Sequence, residues 1–266
     1  MSENALPRKP NSARAASSRF SDAARDYDHH ARVQKHSAQH LGQWLDQMLP
    51  VNFNPKACVD VGSGTGFLTE HLLNKFPQSA VHAVDLAQGM LTELKRKYPT
   101  ERLHTHLLNG EELAVEHLWI PNHSLLVSGM CAQWFSNIEE AIRRWLSVSN
   151  TIAFSVLLDG SFQAWEVAHE DTGQTSGLRP LPSHDDLQNI LNALVAEGIA
   201  ASTAHHTKNF LDHHPDGLSF ARSLRAIGAD QPRVNHTPVN LRKVISALGE
   251  ACTMNYHIGF YYLERP

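Results

Sequence analysis

The chain is poor in cysteine: Cys58, Cys131 and Cys252 are odd in number, far apart and without a CxxC spacing. That pattern argues against a disulfide framework or a zinc site, suits a reducing compartment, and makes each cysteine a small apolar filler. Long apolar runs are missing too. None approaches the roughly 18 residues of a membrane span, and the N-terminus lacks the apolar core of a secretory signal. A cytoplasmic protein with no membrane partner is expected. Neither charge dominates: Lys+Arg 23 against Asp+Glu 27 gives a net charge of -4. Bulk charge therefore does not point to nucleic acid as a partner, although a local basic patch stays open. Histidine alone is abundant, with 18 residues. Yet pairs such as His29–His30, His205–His206 and His213–His214 cannot share a helix face, and no HExxH occurs. No metal site is expected, and most histidines are expected on solvated surface.

What is present centres on Val59–Gly66, VDVGSGTG. Val59 and Val61 read as strand with Asp60 as the polar exception. Gly62, Gly64 and Gly66 alternate in a turn where backbone N–H groups can approach a ligand, and Phe67, Leu68, Leu72 and Leu73 follow at helical spacing. Strand, glycine turn and helix open a nucleotide-binding α/β unit. Before it, the stretch to Ser18 is small, polar and expected to be disordered, and Phe20 to Met48 repeats apolar positions as one long or kinked helix. After it, strands are predicted at Ala80–Val84 ending on Asp85, at Arg102–Leu108, at Leu125–Ser128 and at Thr151–Leu157. Helices are predicted at Gln88–Lys97 and Ile138–Leu146. This alternation predicts a parallel sheet with helices on both faces. From Ser161 to about Ala247 the rhythm breaks into helices, a loop at Gln174–Pro182 and a strand at Ala201–Phe210, before an aromatic, alternating last strand at Met254–Arg265.

Two ligand classes fit a glycine turn with a downstream acid: a dinucleotide and S-adenosylmethionine. The spacing here is G-x-G-x-G, and Phe67 stands where the dinucleotide pattern places its third glycine. Taken with Asp60 inside the first strand, Asp85 ending the second and an aromatic-terminated last strand, the set resembles the class I S-adenosylmethionine-dependent methyltransferases over about Val59–Leu157 plus the last strand. The resemblance implies a Rossmann-like, mostly parallel sheet with an antiparallel C-terminal strand, an N-terminal helical lid and an insertion after the fifth strand. It implies S-adenosyl-L-methionine as cofactor. Asp60, Gly62, Ser63, Gly64 and Gly66 would lie along the methionine part, Asp85 would hold the ribose hydroxyls, and Leu86 and Met90 would flank the adenine. Ser128, at the end of the fourth strand, joins this set. Many relatives meet the adenine amino group with an Asp after the third strand; here the chain offers Asn109, Gly110 and Glu111, so the identity of that contact stays open.

Outside this core, F-S-D-A-A-R-D-Y-D-H-H-A-R-V-Q near the N-terminus, A-Q-W-F-S-N after the fourth strand, F-S-V-L-L-D-G-S-F after the fifth and R-S-L-R-A-I-G-A at Arg222–Ala229 resemble the malonyl-acyl carrier protein O-methyltransferases of biotin synthesis. This narrower resemblance implies methyl transfer to the free carboxylate of malonyl carried on acyl carrier protein. A carboxylate is already ionised near neutral pH, so no general base is needed. An arginine is the natural partner for it. Arg222 and Arg225 share a predicted helix face and are the first candidates, the alternative being a solvated or carrier-facing role; Arg179 comes after them. Tyr27 is expected to close the site. The boundaries that follow are a tail at 1–18, a lid at 19–50, a cofactor core at 51–160, a substrate-side insertion at 161–248 and a closing strand at 249–266. Methylation of a free carboxylic acid, as in trans-aconitate methyltransferases, cofactor binding without catalysis, and a nicotinamide enzyme remain as alternatives at this stage.

Overall fold

The computed structural model describes residues 12–118, 124–233, 236–237 and 239–266. Helices α1 (Ser12–Ala23), α2 (Tyr27–His30) and α3 (Arg32–Met48) lead into strand β1 (Ala57–Val61). The chain then alternates through α4 (Phe67–Lys75), β2 (Ala80–Asp85), α5 (Gln88–Lys97), β3 (Leu103–Leu107), β4 (Ser124–Gly129), α6 (Ile138–Val148) and β5 (Thr151–Leu157). Beyond β5 follow α7 (Gln163–Asp171), α8 (His184–Ala196), β6 (Ser202–Asp216), α9 (Gly217–Ala226), α10 (Leu241–Leu248) and β7 (Glu250–Glu264). Helices α6, α8 and α9 start on polar caps: Asn137 accepts from the Glu140 N–H at 3.1 Å, Ser183 from Asp186 at 3.0 Å and Asp216 from Ser219 at 2.6 Å.

Seven strands form one sheet among the described residues, in the order β3-β2-β1-β4-β5-β7-β6. Strands β1 to β5 pair in parallel, whereas β7 runs antiparallel to both β5 and β6. This is the expected doubly wound α/β sheet with an antiparallel C-terminal strand. Period-two alternation divides each central strand between two cores. Ile152, Phe154 and Val156 of β5 face Trp145 of α6 and Leu191 of α8, while Ala153 and Leu157 face Leu41 and Leu45 of α3 and Leu72 of α4. Chain order reverses on either side of β1, between β2 and β4. The crevice at the carboxyl ends of those strands is where ligands bind in such sheets.

Several expectations change. The tail expected at 1–18 lies outside the described residues up to 11, and its last part is already helical in α1. The one long or kinked helix expected over Phe20–Met48 is three helices, broken after Ala23 and at Ala31, whose ψ of 49° leaves the helical region. No Gly or Pro marks those breaks. Tertiary hydrogen bonds from Asp28, described below, hold α2 as a separate turn. Strand β6 extends beyond Phe210 to Asp216, because residues through Asp216 find partners on β7. The histidines are less solvated than expected. His169 and His214 are buried, and alternation on the strands stacks His206 on Phe260 and His82 on His106.

Candidate active site

The glycine turn is tied to the end of β2, since the Gly62 and Ser63 N–H groups both donate to the Val84 carbonyl, at 2.8 and 3.1 Å. Gly62, Gly64 and Gly66 all have positive φ, at 68°, 53° and 101°, a region that disfavours a side chain. Space distinguishes them. A Cβ on Gly62 would lie 2.3 Å from the Cys131 sulfur, whereas one on Gly64 would meet nothing within 4 Å, because Gly64 faces an open cavity.

That cavity lies over the carboxyl ends of β1, β2 and β4. Its wall is built from Gly62 and Gly64, from Asp85, Leu86 and Met90, from Asn109 and Gly110, from Met130, Cys131, Trp134 and Phe135, and from Phe20 and Tyr27 of the N-terminal helices. Asp85 binds backbone on two sides: the Gly64 N–H donates to Oδ2 and the Ala87 N–H to Oδ1, each at 2.8 Å. It therefore fixes the turn rather than capping α5, whose N-cap is Ala87. Each carboxylate oxygen still has acceptor capacity for a ligand hydroxyl. Burial raises the Asp85 pKa, and the backbone donors of Ala87, Gly64 and Leu86 pull it back in part.

A smaller niche continues beneath the turn, lined by Asp60, Ser63, Thr65, Gln34 and Tyr27. Asp60 is 1% exposed. Thr69 donates to its Oδ2 at 2.6 Å, while its Oδ1 and the Ser63 hydroxyl are buried without a partner among the described residues. Burial pushes the Asp60 carboxyl up to about 7, against the Thr69 hydrogen bond and with the Asp85 charge. An orphaned buried carboxylate oxygen and an orphaned hydroxyl lining one niche suit a cationic donor. The ammonium of an amino-acid moiety is such a donor. With Asp85 available to a ribose and Leu86 and Met90 to a purine face, the residues present fit S-adenosylmethionine.

Other residues singled out in the sequence lie elsewhere. Gly66 is the N-cap of α4. Ser128 is buried and donates to the Val61 carbonyl at 2.8 Å, outside the cavity wall. Glu111 is turned away: its Oε1 accepts the Ser136 and Asn137 N–H groups at 2.7 and 2.8 Å, which secures the start of α6. Asn109 lines the cavity, but its side-chain oxygen accepts the Glu111 N–H at 3.2 Å. Arg222 and Arg225 are exposed on α9 and do not line the cavity. Arg179 does approach it, with its guanidinium 5.3 Å from the centroid of the Trp134 ring.

The N-terminal helices, which bring Phe20 and Tyr27 to the cavity, are held in place by polar and aromatic contacts. Asp28 accepts from the Thr65 hydroxyl in the glycine turn and from Lys97 of α5 at 2.6 Å, and Lys97 also donates to the Thr65 carbonyl at 3.0 Å. Phe20 meets Trp134 edge to face at 5.4 Å. On one side α1 rests so closely on Gly89 of α5 that a Cβ there would lie 2.3 Å from the Ser21 carbonyl oxygen; on the other, Gly228 packs against the Arg19 backbone and Arg19 pairs with Asp230. The R-S-L-R-A-I-G-A segment thus ends as a seat for the lid. Asp28 lies inside the N-terminal segment quoted above, but nothing in its spacing announces the latch. Met130, at a positive φ of 48°, redirects the chain leaving β4 so that Cys131 and Trp134 reach the cavity.

The titratable groups in the cavity wall are few. Tyr27 and Cys131 are held protonated, their pKa values raised first by burial and then by the Asp85 charge. Among the described residues, no histidine, lysine or arginine lines it.

Comparison with known proteins agrees with this geometry. A family model described as a methyltransferase domain matches residues 58–150. The plantazolicin methyltransferase BpumL, solved with a substrate analogue and S-adenosylhomocysteine, superposes with a TM-score of 0.56 at 12% identity, covering 96% of each chain. The YcgJ protein of Bacillus subtilis gives 0.56 at 12% identity, covering 86% of this chain and 99% of that one. The fold is that of the class I S-adenosylmethionine-dependent methyltransferases, and the residues lining the cavity fit that cofactor. Within that class the chain is related to the malonyl-[acyl-carrier protein] O-methyltransferases. The Priestia megaterium protein of that name is 33% identical over 164 residues, 60% of this chain and 57% of the relative. The Magnetococcus marinus one is 29% identical over 260 residues, 91% and 92% of the two chains. A biotin biosynthesis bifunctional protein of Bordetella avium is 25% identical over 261 residues, 95% of this chain but 53% of its own length. The chain thus spans little more than half of two of these relatives.

Proposed function

We propose that this protein methylates the free carboxylate of malonyl-acyl carrier protein, giving the methyl ester that primes pimeloyl synthesis for biotin. The observation that carries the reading is that the described residues lining the cavity include no histidine, and that the one carboxylate among them, Asp85, is engaged by the Gly64 and Ala87 N–H groups. Tyr27 and Cys131 are shifted upward. An acceptor that must lose a proton is poorly served there, whereas a carboxylate is already a nucleophile. The names carried by the related proteins supply the malonyl and the carrier.

In this reading Asp60, Ser63, the glycine turn and Asp85 hold S-adenosylmethionine, which supplies an electrophilic methyl group when bound. The protein's task is then to orient the acceptor oxygen and keep water out. Tyr27, protonated and walling both cavities, closes the site and offers a hydroxyl donor. Phe20, Trp134 and Phe135 make the surroundings apolar. Exposed Arg222 and Arg225 on α9, with Arg242 and Lys243 on the neighbouring α10, suit the acidic surface of a carrier protein better than a buried carboxylate. Arg143 and Arg144 are less available, being paired with Glu139, Glu197 and Glu140.

The test is transfer of a radiolabelled methyl group, comparing malonyl-acyl carrier protein with free carboxylic acids such as malonate and trans-aconitate. The carrier-borne malonyl group is expected to be the better acceptor. Equal or faster turnover of a free acid would overturn the proposal.

A further inference from the structure

Half-buried cations in this protein are paired almost throughout. Among the described residues Lys97 has Asp28, Arg143 has Glu139 and Glu197, Arg144 has Glu140, and Arg102 caps the Leu73, Phe76 and Ser79 carbonyls. Arg179 is the exception. It is half-buried, and its recorded contact is the Trp134 ring, with no carboxylate or carbonyl partner among the described residues. Burial lowers its pKa, the mark of a cation that has given up water without gaining an anion.

Its loop holds it firmly. Leu178 and Leu181 on either side pack against the core. The Gly177 carbonyl accepts from the Arg233 N–H at 2.9 Å, and the Pro182 carbonyl from the Asp159 N–H at 3.0 Å. Pro180 restricts Arg179 to extended backbone. The guanidinium lies 5.3 Å over the Trp134 ring, and its N–H groups, with no carboxylate or carbonyl partner among the described residues, suit a planar anion, which arginine binds through two parallel hydrogen bonds. Trp134 is itself part of the cavity wall and touches the lid through Phe20.

We propose that Arg179, held on Trp134, receives the carboxylate of the acceptor and selects acidic acyl groups over neutral ones, leaving Arg222 and Arg225 to surface contacts. The proposal rests on the carboxylate-methylation reading for the identity of the acceptor, but it concerns an anion site that can be measured without turnover.

The experiment titrates malonyl-pantetheine and acetyl-pantetheine into protein loaded with S-adenosylhomocysteine, for wild type, Arg179→Ala, Arg179→Gln and Arg179→Lys, and measures KM and kcat for malonyl-acyl carrier protein in parallel. Wild type is expected to prefer the malonyl compound by roughly 10- to 100-fold. The Ala and Gln variants should lose that preference, with Lys retaining part of it, and KM should rise more than kcat falls. Affinity for S-adenosylhomocysteine should stay within about twofold in every variant, a difference too small to signal a lost contact. Undiminished malonyl preference in the Ala and Gln variants would overturn the proposal. A collapse of S-adenosylhomocysteine binding in all three would do the same, because it would make Arg179 structural. If wild type fails to methylate malonyl-acyl carrier protein yet shows the Arg179-dependent preference, the function proposed above fails and the anion site stands. If wild type turns over and Arg179→Ala matches it in KM and malonyl preference, the reverse holds.

Discussion

The most consequential single group is Asp60, whose carboxyl is buried against a pKa of about 7 where an ordinary aspartate has 3.8. Because the folded state holds a proton that the unfolded chain releases, stability from this group is fully present below the unfolded value. It declines as pH rises from about 4 to about 7 and is flat above that. Asp60→Asn, which can still accept from Thr69, should therefore raise the melting temperature of the unliganded protein by a few degrees at pH 8 and hardly at all near pH 4. The same variant should bind the cofactor at least about tenfold more weakly at pH 8, because an ammonium loses its counter-charge. Wild-type cofactor affinity should rise with pH through about 7, and calorimetric titration across that range checks the sign. A flat profile would remove Asp60 from the ammonium site. That Asp60 and Asp85 border the cavities was legible in the sequence because an acid is conspicuous inside or at the end of an apolar strand. The roles of Glu111 and Ser128 were not, since a carboxylate that secures the next helix and a hydroxyl that bonds a neighbouring strand look the same on paper as ligand contacts. Tertiary position alone separates them.

Among elements, the lid departs furthest from its sequence pattern. Apolar spacing from Phe20 to Met48 predicts one long or kinked helix and does not place its breaks, yet α2 is a single separate turn pinned by Asp28 to Thr65 and Lys97. Spacing reports amphipathicity and is silent about a polar contact that outweighs a few residues of helix propensity. Lys97→Ala should loosen the lid without reaching the cofactor, so release of S-adenosylhomocysteine in stopped-flow measurement should accelerate several-fold while global stability changes by about 1 kcal/mol or less. Unchanged release would mean that the latch does not govern closure. Sheet elements were read more accurately than the lid, β5 to the residue, because a strand buried on both faces is a bounded apolar run. The extra length of β6 was hidden by its polar composition, His213 and His214 included, which reads as loop until β7 is placed beside it.

At the scale of the whole molecule the net charge of -4 conceals an uneven distribution. The exposed cations of α9 and α10 lie on adjacent helices, and a carrier protein steered to them should lose affinity as salt rises. Arg222→Glu with Arg225→Glu should raise KM for malonyl-acyl carrier protein roughly tenfold at low ionic strength and leave KM for malonyl-pantetheine unchanged. Equal effects on both acceptors would return these arginines to the catalytic site. The doubly wound core was readable from alternating strand and helix patterns, while the placement of the later segments around it was not, because contacts between α1 and the turn after α9 join residues some two hundred positions apart. That turn has a thermodynamic consequence. Gly228 and Asp230 support α1 from the α9 side, and Gly89 supports it from the α5 side. Under the proposed function, a carrier that steadies α9 also steadies α1 above the cavity, and linkage requires the effect to be mutual: whatever factor the carrier adds to cofactor affinity, the cofactor returns to the carrier.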